Sequence, residues 1–204
     1  MALATAGRNS AADGLAAVIG FLSVHTGDPS TTGANEATGG SPAYIRKAVV
    51  WAAASAGQRL TGTGAVTWDL PAGTYFWVGG FSTVTVGTWY GGTPFGGVTP
   101  KPATFVASTD IFTSPGHGLV NDMRCVVWPA EQVAIPTGYT EGTTYWVVGV
   151  SGTTFQLSAT QGGAAVNGTT DGVVWFQQSL PETLNAQGQL SVPIGSGAID
   201  ARAA

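Results

Sequence analysis

His25 lies three residues before Asp28 and eleven before Glu36, and these are side-chain types that acid/base work or metal ligation would need. No nucleophile stands beside them, so a plainer role fits better. A His that closes a strand and precedes TGDP is expected to hydrogen-bond a buried carbonyl, while Asp28 and Asn35 organise the loop through side-chain to backbone bonds. His117, between Gly116 and Gly118, could face Asp122, but GHGL followed by ND reads more simply as a turn that opens a strand pair. Glu131 and Glu141 offer two carboxylates of the kind that cleave glycosidic bonds, although spacing in sequence does not set their separation in space. No constellation of nucleophile, acid and base emerges, and the chain is expected to be non-enzymatic.

Arg46 and Lys47 are the only adjacent basic pair, placed just before the apolar run AVVWAAA. They are candidates for contact with an acidic patch on a neighbouring subunit, set against ordinary solvated surface. The aromatic residues suit either a packed core or a sugar-stacking platform, because an aromatic face is apolar while Tyr and Trp carry a polar edge. Tyr75, Phe76, Trp77 and Phe81 crowd one run, so both faces of that strand are expected to be buried. Trp89, Tyr90, Tyr139 and Trp146 flank Gly turns and are the better candidates for glycan contact. The single cysteine, Cys125, sits in MRCVVW, a strand setting expected to hold an inert core thiol. NGT at 167–169 fits a glycosylation sequon but reads as a turn.

Composition narrows the classes further. The 204 residues carry only 7 basic and 11 acidic side chains, 9% charged, against about 25% in a typical soluble domain. A net charge of -4 with dispersed Lys and Arg leaves no basic stripe for phosphates, and nucleic acid is not an expected partner. One cysteine and no Cys/His cluster leave no cofactor or structural metal to expect. GLAAVIGFLSV is too short to span a bilayer, which needs about 20 apolar residues, and it lacks a basic flank and a clean cleavage context. No membrane association is expected, and the chain reads as made in the cytoplasm.

The elements that must position these residues are mostly strands. SAADGLAAVI at 10–19 carries the one convincing helical pattern, with Ser10 as candidate N-cap. Strands are expected in AVTWDL (65–70), TYFWVGGFSTVTV (74–86), TYWVVGV (144–150), TTFQLSA (153–159) and GVVWF (172–176), separated by Gly-rich turns. Alternation in TWDL, STVTV and TFQLS places one face in a core and the other outward. Pro100 and Pro102 bracket Lys101 and are expected to break any strand there, and a second seam follows at QQSLPETLNAQG. GQLSVPIGSGAI reads as a further strand pair closing the first domain. The expected fold is all-β. A Gly-rich antiparallel jelly-roll-like domain with a short N-terminal helix comprises 1–99 and 179–204, and a second small β domain, 103–177, is inserted into it and projects outward.

FLSVHTGDPSTTGANEATGGSPAYIRKAVVWAAASAG at 21–57 resembles the opening of a family of small virion surface proteins from tailed phages of actinobacteria. Its motifs are a short helix, a strand ending in LHT, a DPGTTGANE loop and a GGSPAYxR turn. Ser30 stands where that family usually has Gly. PAGT (71–74), TWYGGTPFGG (88–97) and LPETLNAQGQLSVPIGSGAI (180–199) resemble the rest of the same unit. The middle segment resembles a different recurring module of phage tail-fibre and head-surface proteins, through GHGL (116–119), IPTGYTEGTTYWVV (135–148) and TTFQLSATQGGAAV (153–166).

The resemblance implies a structural role in the virion, most simply capsid decoration on the head surface as a homotrimer bound to the major capsid protein. The alternative it implies is a minor tail or tail-fibre protein that meets other tail proteins and whose inserted module binds a host surface glycan. The helix and the loop from Thr26 to Ser41, with His25, Asp28, Asn35, Arg46 and Lys47, are the candidates for shell or subunit contact.

Overall fold

The computed structural model describes residues 4–55, 58–62, 64–96, 100–130, 133–193 and 198–200. Among these described residues one helix, α1 (Thr5–Val18), precedes sixteen short strands: β1 (Phe21–His25), β2 (Lys47–Ala48), β3 (Gln58–Leu60), β4 (Val66–Leu70), β5 (Gly73–Tyr75), β6 (Trp77–Phe81), β7 (Trp89–Pro94), β8 (Lys101–Val106), β9 (Ile111–Thr113), β10 (Arg124–Pro129), β11 (Thr144–Ser151), β12 (Thr154–Ser158), β13 (Gly172–Ser179), β14 (Glu182–Leu184), β15 (Gly188–Val192) and β16 (Ala198–Asp200). The chain divides into two compact units, one of Met1–Thr93 with Glu182–Ala204, the other of Pro94–Pro181.

In the discontinuous base unit, α1 starts at Thr5, and its N-cap is Ala4 in extended geometry with no side-chain cap. The expected Ser10 cap is therefore a mid-helix residue; alanine-rich composition, which favours helix at every position, carries the helix past it. Only Ala12 and Ala16 are buried, one turn apart on one narrow face. The helix stops where Ile19 turns extended, and the Trp51 indole donates to the Ile19 carbonyl at 2.7 Å. The following strand, β1, is central in a four-stranded sheet of order β2-β1-β6-β7, with Phe21 opposite Phe81 and His25 opposite Trp77. The pairs β14-β5, β15-β4 and β16-β3 form three two-stranded sheets. Alternation in β4 buries Val66, Trp68 and Leu70, and the core adds Leu22, Val24, Tyr75, Trp77 and Phe81, each no more than 6% exposed.

Two expectations for this unit are corrected. Residues 74–86 are not one strand: β5 and β6 are separate, and residues 82–86 form an exposed bend despite the alternation of STVTV. GQLSVPIGSGAI does not form a pair with itself, because β15 pairs with β4 and β16 with β3.

The second unit is a closed six-stranded antiparallel barrel of order β10-β11-β12-β9-β8-β13. Its interior follows from period-two alternation: Phe105, Phe112, Cys125, Val127, Tyr145, Val147, Phe155, Leu157, Val174 and Phe176 all point inward and are at most 4% exposed. Phe112 and Phe155 stack at 5.3 Å between ring centroids, and Phe155 meets Phe176 at 5.1 Å. Cys125 is fully buried among them, and burial pushes its thiol well above the usual range, so it stays protonated.

Pro102 does not break the chain as expected. It lies inside β8, opposite Trp175 of β13, while β9 pairs with β8 only at Thr104 to Val106. The missing N–H therefore falls where β8 has one paired side, the setting in which a strand tolerates proline. Where the chain enters and leaves the barrel, the Leu180 amide donates to the Phe95 carbonyl at 2.6 Å.

Candidate functional site

The loop between β1 and β2 is built outward from His25, the last residue of β1 and fully buried. The Ala34 carbonyl, 2.7 Å from Nδ1, can only accept, which assigns the ring proton to Nδ1. Nε2 then accepts from the Ser23 hydroxyl at 2.8 Å. Ser23 and His25 are two apart on one strand and so share a face. The pair has the ingredients of a nucleophile and a base, yet both residues have 0% exposure, and no substrate atom reaches them.

His25 thus bonds a backbone carbonyl as expected, but the carbonyl belongs to Ala34, an exposed loop residue, and only the imidazole itself is fully buried. Asp28 accepts from the Ser30 amide at 2.8 Å, and the Asn35 amide donates to the Asp28 carbonyl at 2.7 Å. Ser30 has a φ of 48°, in the left-handed region that glycine enters without steric cost.

Burial holds the His25 pKa below its ordinary value, outweighing the Ala34 hydrogen bond and the nearby Glu36 carboxylate, which act the other way. The unfolded chain therefore binds a proton at His25 more readily than the folded one. Stability linked to this residue is complete above an unfolded pKa of about 6.5 and falls as pH drops toward the lower folded value. Urea unfolding between pH 7.5 and 5 is expected to show this decline, and His25→Asn is expected to flatten it.

Glu36, Tyr44 and Arg46 form the outer layer of the loop. Arg46 grips Glu36 with two parallel bonds, Nε to Oε1 at 2.8 Å and Nη2 to Oε2 at 2.7 Å. Its Nη1 also donates to the carbonyls of Thr83 and Thr85, and its guanidinium lies 3.3 Å from the Phe81 ring centroid. Arg46 is thus an internal clamp rather than a residue awaiting an acidic patch elsewhere, with its side chain only 10% exposed. The Tyr44 hydroxyl donates to Glu36 at 3.0 Å and accepts from the Val24 amide at 3.1 Å. Burial pushes the Tyr44 pKa up, keeping that proton in place. Lys47, partly exposed, stands 3.9 Å from Asp69, a weak pairing.

Over this network lies an open groove of about 320 Å³, lined by Glu36, Ala37, Thr38, Tyr44, Ile45 and Val84 among others. Its carboxylate is already neutralised by Arg46, and its rim carries exposed Ile45 and Val84, followed by Val86 at 87% exposure. The groove suits apolar contact with a protein surface. Among the described residues no group of three or more His, Cys, Asp or Glu side chains could hold a metal ion.

The expected sugar-contact residues scatter. Trp89 is partly buried, its indole packed edge-on to His25 at 5.1 Å, against Phe81 at 5.1 Å and over Gly79 and Gly92. A Cβ on Gly79 would overlap that indole, so Gly79→Ala is expected to displace Trp89, destabilise the base unit by about 1–3 kcal/mol and change the near-ultraviolet circular dichroism. Tyr90 is 38% exposed on the open side of β7. Tyr139 is 6% exposed inside the barrel, edge-on to Phe105 and Phe112, with its hydroxyl donating to the Val166 carbonyl, so it is a core residue and not a surface platform. Trp146 is partly exposed beneath the Arg124 guanidinium at 4.4 Å.

His117 is 7% exposed. Its Nδ1 accepts from the Leu119 amide at 2.9 Å and its Nε2 donates to the Gly152 carbonyl at 3.1 Å, which leaves no ring nitrogen for Asp122. Glu141 is exposed in a turn, and Glu131 lies outside the described residues. Sequence reasoning passed over Ser23, Tyr44, Trp128 and Trp175. The i, i+2 spacing signals Ser23, whereas RCVVWP and GVVWF are unbroken apolar runs that do not mark which residues turn outward, and nothing local marks Tyr44 as the partner of Glu36. No protein-family model, curated protein or solved structure matches the chain.

Proposed function

We propose that this chain is a non-enzymatic structural protein of a phage virion, a capsid decoration protein that stabilises the head surface. The observation that carries this reading is the clamped loop between β1 and β2. Its His25, Glu36 and Arg46 side chains are satisfied internally, and it presents a nearly neutral groove rimmed by Ile45 and Val84. A preformed apolar surface of this kind gains by burial against another protein, at about 25 cal/mol per Å² of apolar area.

The resemblance of residues 21–57 to actinobacteriophage virion proteins supports the same reading. Under it the base unit is a jelly-roll-like subunit of a homotrimer seated on the major capsid protein, and the barrel is carried outward. Immunogold labelling of intact particles of the source virus tests this. Gold spread over the head is the expected result. Gold confined to the tail would replace decoration by a minor tail or fibre role, and particles free of label would remove the virion reading altogether.

A further inference from the structure

The outside of the barrel carries an aromatic row that the decoration role does not use. Cys125 and Val127 of β10 point inward, so Trp128, next along the strand, points outward. In β13 the inward residues are Val174 and Phe176, which turns Trp175 outward. The register places Trp128 directly opposite Trp175, and Trp175 directly opposite the exposed Pro102 of β8. Three adjacent strands thus present Trp128, Trp175 and Pro102 side by side. Val126, one outward position back along β10, is fully buried, whereas both indoles keep part of their surface exposed.

We infer that Trp128 and Trp175 form a binding strip for neutral oligosaccharides on the outer face of the barrel. Directly opposed residues of an antiparallel pair place their side chains about 5 Å apart, so two indoles can serve consecutive parts of one extended ligand. A pyranose ring has an apolar C–H face to lay on an indole and hydroxyls at its edge to meet polar neighbours. Here the exposed Thr104 lies opposite Val173, two residues from Trp175, and supplies a hydroxyl beside the strip. No carboxylate or ammonium belongs to the opposed row itself, which suits an uncharged ligand. Polyproline peptides are the rival for paired aromatics, but they settle into aromatic-lined grooves, and this strip lies on the outside of a closed barrel. The inference goes beyond the decoration reading and does not depend on it, because particle labelling and sugar binding succeed or fail separately.

The test uses the full chain, with cellohexaose, maltohexaose and chitohexaose as neutral probes and a proline decamer as the rival, followed by NMR. At least one hexasaccharide is expected to bind and to shift the indole N–H resonances of Trp128 and Trp175 in the wild-type protein. Trp175→Ala is expected to weaken binding about tenfold, as for an anchor aromatic at an interface. Trp175→Tyr retains an aromatic face and is expected to recover most of that loss, while Tyr90→Ala on the base unit changes nothing. The inference is overturned if none of the three sugars binds, if the shifted resonances belong to other residues, or if the proline decamer binds at the strip in their place. The wild-type resonances decide the matter even if a Trp variant fails to fold.

Discussion

Arg46→Met is expected to destabilise the base unit by about 3 kcal/mol, a large effect for a side chain near the surface. Removing the guanidinium takes from the partly buried Glu36 the two hydrogen bonds of Arg46 and leaves it the Tyr44 hydroxyl, strips the Phe81 ring of its cation and frees the carbonyls of Thr83 and Thr85. Arg46→Lys keeps the charge but cannot form the fork to Glu36 or lie flat on Phe81, and about 2 kcal/mol of the loss is expected to remain. Pairing Glu36→Gln with Arg46→Met removes the orphaned charge, and the double variant is expected to be more stable than Arg46→Met alone. Hydrogen exchange read separately over the two units checks this: protection should fall around β1 and β6 and stay unchanged in the barrel. Equal protection in the variant and the parent would show that the clamp contributes nothing.

In the barrel, Phe112→Ala is expected to cost about 4 kcal/mol. Phe112 is the one buried residue of β9, a strand of only three residues, and it touches Phe105, Tyr139 and Phe155 at centroid distances of 4.7 to 5.3 Å. Because β9 bridges β8 and β12, its loss leaves a cavity and also loosens the pairing that closes the barrel. Exchange protection is expected to drop across β8, β9 and β12, with the base unit unaffected. Phe112→Leu fills most of the space and is expected to lose less than half as much.

The strands were legible in the sequence where alternation was backed by burial. TWDL and TFQLS became β4 and β12, and every second residue of RCVVWP and GVVWF, Cys125 and Val127 in one and Val174 and Phe176 in the other, became barrel interior. STVTV carried the same alternation and became a bend, because Arg46 holds the Thr83 and Thr85 carbonyls and Gly87 turns the chain with a φ of 143°. That capture joins residues far apart in sequence, and a local pattern cannot register it. Closure of the barrel was hidden for the same reason: β13 meets β8 across the whole length of the unit.

Among the candidate site residues, His25, Asp28 and Asn35 took the hydrogen-bonding roles their spacing suggested. The glycine turns beside Tyr139 and Trp146 carried no information about which way either ring points. Alternation alone turns Trp128 and Trp175 outward, but only the strand register makes them neighbours.

The hydrogen bond from Leu180 to Phe95 has a consequence for how such a chain can change over time. It holds the incoming and outgoing ends of the barrel side by side, so excising Pro94–Pro181 leaves two cut ends that a few glycines can rejoin. Recombination at those points can add, delete or exchange the barrel as a cassette while leaving the base unit's strands in frame. The same ends make the site a ready socket for displaying a foreign domain.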